Sequence, residues 1–179
     1  MDILLKVSRV IDALNERIGR LVIWLVLIAT LISAGNALVR YGLNTSSNAW
    51  LEIQWYLFGL IFLLGAGYTL KHNGHVRIDV LYGRFSPRTK ARVDLLGGLL
   101  FLLPMSGIIA WLGWDFFLAS YAVDETSPDA GGLLRWPIKL AVPVGFALLW
   151  LQGVSEVIKR LAALKGVIPE AEEHSEEVV

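Results

Sequence analysis

The chain reads as an all-α integral membrane protein: four transmembrane helices plus an N-terminal amphipathic interfacial helix, with both termini in the cytoplasm. Three observations predict this. Hydrophobic residues make up 55% of the 179 and charged residues only 18%, against ~45–50% and ~25% in soluble domains. Four long stretches carry no charge. The basic residues fall almost wholly on one side of those stretches. A formal net charge of zero argues against a nucleic-acid partner. The absence of cysteine excludes disulfides, thiolate metal sites, thioether haem attachment and a lipoprotein anchor.

Residues 1–18 form the first element. Ile3, Val7, Val10, Ile11, Leu14 and Ile18 recur at helical spacing, while Lys6, Arg9, Asp12, Asn15, Glu16 and Arg17 fill the other face. This describes a helix lying in the cytoplasmic interface, its basic residues suiting anionic lipid, with packing on a partner helix as the alternative.

The bundle occupies residues 19–163. Crossing a hydrocarbon core of ~30 Å takes ~20 apolar residues at 1.5 Å each. Leu21–Val39, Ile53–Leu70 and Leu95–Trp114 meet that length between bracketing charges, and the shorter Leu140–Ser155 meets it with a snorkelling Lys139. The spans are therefore about 20–40, 50–71, 92–117 and 137–159. Most of the seven tryptophans fall near span ends, where an amphipathic indole prefers the headgroup level. Pro104 and Pro143 lie inside spans three and four, where kinks are expected. Ser33-Ala34-Gly35 offers a signal-peptide cleavage site, but the polar region before it and the apolar stretch are both too long for one. Ser86-Pro87 starts the third helix inside the cytoplasm, serine capping free amides and proline filling the first turn. Residues 164–179 form an acidic tail, with Glu170, Glu172, Glu173, Glu176 and Glu177 and almost nothing apolar to bury; disorder is expected there.

Orientation follows from the sixteen lysines and arginines. Lys6, Arg9, Arg17 and Arg20 precede span one; Lys71, Arg77, Arg84, Arg88, Lys90 and Arg92 lie between spans two and three; Lys159, Arg160 and Lys165 follow span four. Only Arg40, Arg135 and Lys139 lie on the other side. The positive-inside rule places the termini and the central loop in the cytoplasm.

Residues that could carry chemistry are few. Paired histidines facing each other in a bundle would hold haem. His72 and His75 instead lie past the end of span two, and His174 lies in the tail, so solvated or capping histidines are the simpler reading and no metal or cofactor is expected. Glu52, Asp94 and Asp115 fall at the membrane edges by length, which leaves a proton relay without stepping stones. Glu52 shares a helical face with Trp55, Tyr56 and Gly59, a polar-aromatic seam that either docks a partner or is a boundary carboxylate among belt aromatics. Arg88, Lys90 and Arg92 suit phosphate headgroups. Ala29, Ser33 and Ala37, with Ala141 and Gly145, are small residues at four-residue intervals and allow close helix packing.

Between spans two and three stands the string Gly74-His75-Val76-Arg77-Ile78-Asp79-Val80-Leu81, followed by Ser86-Pro87-Arg88. With Glu52 before span two and Gly65-Ala66-Gly67 near its end, this resembles the small membrane subunit, the DctQ type, of tripartite ATP-independent periplasmic (TRAP) transporters. The resemblance covers roughly residues 10–163 and leaves out the acidic tail. It implies a non-catalytic scaffold in the bacterial inner membrane. Its partners would be a large many-helix subunit, which imports an organic acid with sodium, and a periplasmic substrate-binding protein; the substrate and sodium sites would belong to the large subunit. Arg77 and Asp79 would be structural or interface residues of the cytoplasmic loop. The competing reading is a four-helix anchor subunit of a redox complex, disfavoured by the missing intramembrane histidines.

Overall fold

The computed structural model describes residues 1–45, 47–75 and 82–167. Four helices dominate them: α1, Asp2–Leu43; α2, Asn48–Lys71; α3, Pro87–Ala122; and α4, Trp136–Leu164. Each is long and apolar enough to cross a membrane. The central string containing Arg77 and Asp79 and the tail from residue 168 onward lie outside the described residues.

α4 is the hub, packing against α1, α2 and α3. In its most apolar window 44% of residues are buried, against 6–11% for the other three helices. Its buried positions are rich in small and polar residues: Ala141, Gly145, Gln152, Gly153, Ser155, Ala162 and Ala163. Small side chains let backbones approach closely, which is how helices bind one another without a hydrophobic driving force. At Gly145 the approach is extreme, because a Cβ there would lie 2.6 Å from the Leu63 carbonyl oxygen of α2. Pro143 is buried inside α4, which continues through it, and borders Gly113 of α3.

The amphipathic segment expected as a separate helix over residues 1–18 is instead the first part of α1, which runs unbroken for 42 residues. No proline interrupts it, and Gly19, the one glycine near the junction, is held by close packing on Tyr68. At 1.5 Å per residue α1 is ~63 Å long, about twice the hydrocarbon core. Its inner seam is Ser8, Asn15, Val22 and Ala29 at seven-residue spacing, with Ile11 and Gly19 beside it. That period suits a shallow left-handed crossing. Here the polar residues face inward onto α4, and Ile3, Val7, Val10 and Leu14 point outward, exposed.

α3 begins as its sequence indicates. The Ser86 hydroxyl accepts the Thr89 N–H at 3.3 Å, and Pro87 occupies the first turn. Its inner stripe is Ala91, Gly98, Ser106, Gly113 and Ser120. The steps are seven residues, except for eight between Gly98 and Ser106. In that interval lies a π-turn, Gly98–Leu102, just before Pro104. The extra residue lets the stripe keep facing α4.

Candidate functional site

The described polar residues gather at the two ends of α4. At its N-terminal end the centre is Glu52, in the second turn of α2 and 3% exposed. Its carboxylate accepts the Leu133 N–H at 2.6 Å and the Ser127 hydroxyl, with the Arg135 guanidinium 3.7 Å away. Arg135 also donates to Ser127 Oγ at 3.1 Å and lies 5.0 Å above the Trp55 ring. The Tyr56 hydroxyl donates to the Leu134 carbonyl at 2.8 Å, and the Asn48 amide donates to the Ala130 carbonyl at 3.0 Å. The loop they grip is folded on itself. Ser127 N–H bonds Leu133 O at 2.9 Å, and Arg135 N–H bonds Glu125 O at 2.7 Å. Lys139 pairs with Glu125, and that hydrogen bond is the main reason the Glu125 carboxyl titrates below the usual glutamate range. Carboxylates bonded by an N–H and a cation are strong fixing points.

At the C-terminal end α1 is sewn to α4. Ser8 and Ser155 hydroxyls lie 2.7 Å apart, and Ser155 also donates to Asp12 at 2.7 Å. Gln152, fully buried, accepts from the Asn15 amide at 3.0 Å and donates to Asp12 at 2.8 Å and to Glu156 at 3.0 Å. Lys159 bridges the two carboxylates, at 2.6 Å from Glu156 and 3.4 Å from Asp12. Asn15 Oδ1 has no hydrogen-bond partner among the described residues and rests on Gly67, where a side chain would strike it. Beside this network Glu16 bonds Lys71 at 2.8 Å, His72 at 2.9 Å and Arg20 at 3.1 Å. The Lys71 bond is the largest reason that Glu16 titrates at about 2; burial pulls the other way. Asp94 meets Arg160 at 3.4 Å and accepts from the Tyr82 hydroxyl at 2.8 Å.

The residues singled out from sequence separate accordingly. Glu52 and Tyr56 face the chain's own loop and Gly59 abuts Ile138, while Trp55 carries Arg135 and is itself 41% exposed. His75 is exposed just beyond α2, and Arg77 and Asp79 lie outside the described residues. Lys90 lies 5.3 Å above the Tyr82 ring and Arg92 is exposed; Arg88 has a partner of its own. Of the small residues, Ala29, Ala141 and Gly145 are buried and Ser33 donates to Gln54 at 3.1 Å, but Ala37 is exposed. The sequence reading passed over Gln152 and placed Asn15 only on the polar face of the N-terminal segment. The available signal was an amide within the apolar stretch of span four, opposite another on the inner stripe of α1. Among the described residues no group of three or more His, Asp or Glu is placed to hold a metal.

Comparison with known proteins agrees with this architecture. Residues 29–163 match the family described as tripartite ATP-independent periplasmic transporters, DctQ component. A C4-dicarboxylate TRAP transporter small permease protein of Rhodobacter capsulatus is 40% identical over 101 residues, covering 55% of this chain and 42% of the relative. Its counterpart in Pseudomonas aeruginosa is 29% identical over 137 residues, 74% of this chain and 62% of the relative. A putative TRAP transporter small permease protein of Haemophilus influenzae is 26% identical over 111 residues, 61% of this chain and 69% of the relative. The matched stretch thus spans less than two thirds of the first two relatives. The chain belongs to the DctQ component family, and it is a multi-pass membrane protein.

Proposed function

Taking that membership as the premise, we propose that the chain is the non-catalytic small subunit of a bacterial TRAP transporter and gives the large transporting subunit a wide, rigid footing. The observation that supports this is the use of its polar groups. Glu52, Asp12, Asn15, Gln152 and Asp94 are all engaged within the chain, and the surfaces left outward are broad and apolar. A body so braced is a fixed element against which another can move. The large subunit carries the substrate and sodium sites, and a periplasmic binding protein delivers the substrate. Two relatives are named for C4-dicarboxylates, which favours an organic acid as cargo.

In this reading the chain sits in the inner membrane with both termini cytoplasmic. The start of α1 turns Ile3, Val7, Val10 and Leu14 toward the lipid interface or a neighbouring helix. Arg88, Lys90 and Arg92 meet anionic headgroups, and His75, Arg77 and Asp79 belong to a cytoplasmic loop that contacts the large subunit. The test is reconstitution. The chain should co-purify with its co-expressed large subunit, and proteoliposomes should take up substrate only when both are present with binding protein and a sodium gradient. Sodium-driven uptake by this chain alone would overturn the reading.

A further inference from the structure

The first part of α1 carries a basic ridge. Lys6, Arg9, Arg17 and Arg20 follow one another at three, eight and three residues, with Ala13 in the gap, so they share a face of the helix. Ser8 and Asn15 occupy the buried side, against α4. The acids nearest the ridge are taken up elsewhere: Asp12 by Gln152, Ser155 and Lys159, and Glu16 by Lys71, His72 and Arg20. Lys6, Arg9 and Arg17 are exposed and have no partner among the described residues. Asp2 is exposed too, one acid against three cations.

The described chain ends beside this ridge. Ser8 meets Ser155 and Asn15 meets Gln152, so α1 and α4 run antiparallel, and Asp2 lies level with about residue 161 of α4. α4 then closes in a turn at Gly166 (φ 69°), where the Gly166 N–H bonds Ala163 O at 2.9 Å and the Val167 N–H bonds Ala162 O at 3.0 Å. After that turn, outside the described residues, come Glu170, Glu172, Glu173, Glu176 and Glu177 with no lysine or arginine among them. At ~3.3–3.6 Å per residue the chain from Val167 can carry these carboxylates up to ~10–35 Å. Lys6, Arg9 and Arg17 lie ~6, ~10 and ~22 Å along α1 from Asp2. Lys71 of α2 and Lys159 of α4 reach α1 at Glu16 and Asp12, so Lys6 and Arg9 stand ~5–15 Å farther from the core than those edge charges. Ridge and tail both fall outside residues 29–163, the stretch that family membership accounts for.

We propose that residues 170–177 fold back along the basic ridge of α1, where their glutamates pair with Lys6, Arg9 and Arg17. The occupant is fixed by charge complementarity and by where the chain leaves α4. Each exposed pair is weak alone, but a tethered segment is present at an effective concentration of about millimolar, and five carboxylates face three cations. The ridge is then closed to other anions until the tail is displaced.

The chain has no cysteine, so two introduced thiols report one proximity. Ala13→Cys within the ridge and Ser175→Cys in the tail would be joined by a short bismaleimide in the full chain, reconstituted in phosphatidylcholine bilayers. The intramolecular cross-link should form, and Lys6→Glu/Arg9→Glu/Arg17→Glu should slow it about fivefold. Changing the five tail glutamates to lysine should slow it equally, and combining both reversals should restore the rate. The tail variant alters no described residue, so it decides the matter where the ridge variant melts early. An unchanged rate in the tail variant would reduce the contact to tethered collision and overturn the proposal. Val93→Cys, exposed near the start of α3, should react with Ser175→Cys more slowly than Ala13→Cys does; the reverse order would place the tail on α3 and also overturn it. In phosphatidylglycerol bilayers the Ala13–Ser175 cross-link should persist, and its loss there would assign the ridge to lipid headgroups instead.

Discussion

α3 and α4 cross the same bilayer, and the more apolar of the two is the less buried. α3 presents Leu100, Phe101, Met105, Ile108 and Trp111 outward, and 6% of its apolar window is buried; in α4, with its glycines, serines and Gln152, the share is 44%. In water the hydrophobic helix would be the core. In lipid, hydropathy marks what faces the solvent, and small or polar residues mark what faces protein.

The sharpest way to break this comparison is to enlarge a seam glycine. Gly145→Leu drives a side chain into the Leu63 backbone and should destabilise the bundle by about 3 kcal/mol, measured by thermal unfolding in detergent. Trp111→Ala on α3, 76% exposed, should leave the melt unchanged; equal losses would mean that α4 is no hub. Next in size is Gln152→Leu. It keeps the volume but leaves the Asn15 amide only its long 3.4 Å bond to the Ile11 carbonyl and removes a donor to Asp12, so a loss of about 2 kcal/mol is expected in the same melt. A smaller effect attends Glu52→Ala, which frees the Leu133 N–H and the Ser127 hydroxyl. Limited proteolysis should then cut within residues 123–135, while wild type resists. The smallest is the acid response of Glu16. Its folded value of about 2 lies below the ordinary 4.5, so its stabilisation is full above pH 4.5 and fades as pH falls toward 2. Glu16→Gln should remove that portion of the acid sensitivity of the melt.

The four spans were legible because charge-free runs can be measured against a bilayer. The buried small residues were legible in part: Ala29, Ala141 and Gly145 are at contacts, but Ala37, two steps beyond Ala29 in the same repeat, is exposed. The separate helix over residues 1–18 was inferred from polarity, and polarity misled. Asp12 and Asn15 looked like part of a wet face, yet they and Ser8 are bonded to Gln152 and Ser155, 137 to 147 residues away. Glu52 stood out among its aromatics, but its principal donor, the Leu133 N–H, lies 81 residues on. A backbone amide leaves no trace in residue identity, so no spacing rule would find it.

The π-turn at Gly98–Leu102 works as a leap day does in a calendar. The contact seam of α3 advances by sevens, the α-helix turns by about 100° per residue, and one inserted residue resets the phase before the drift carries Gly113 and Ser120 away from α4. Deleting Leu100 would leave an equally apolar helix of nearly equal length. Every position beyond it would be rotated by about 100°, so the half of α3 that now grips α4 would turn aside while the half before it stayed in place.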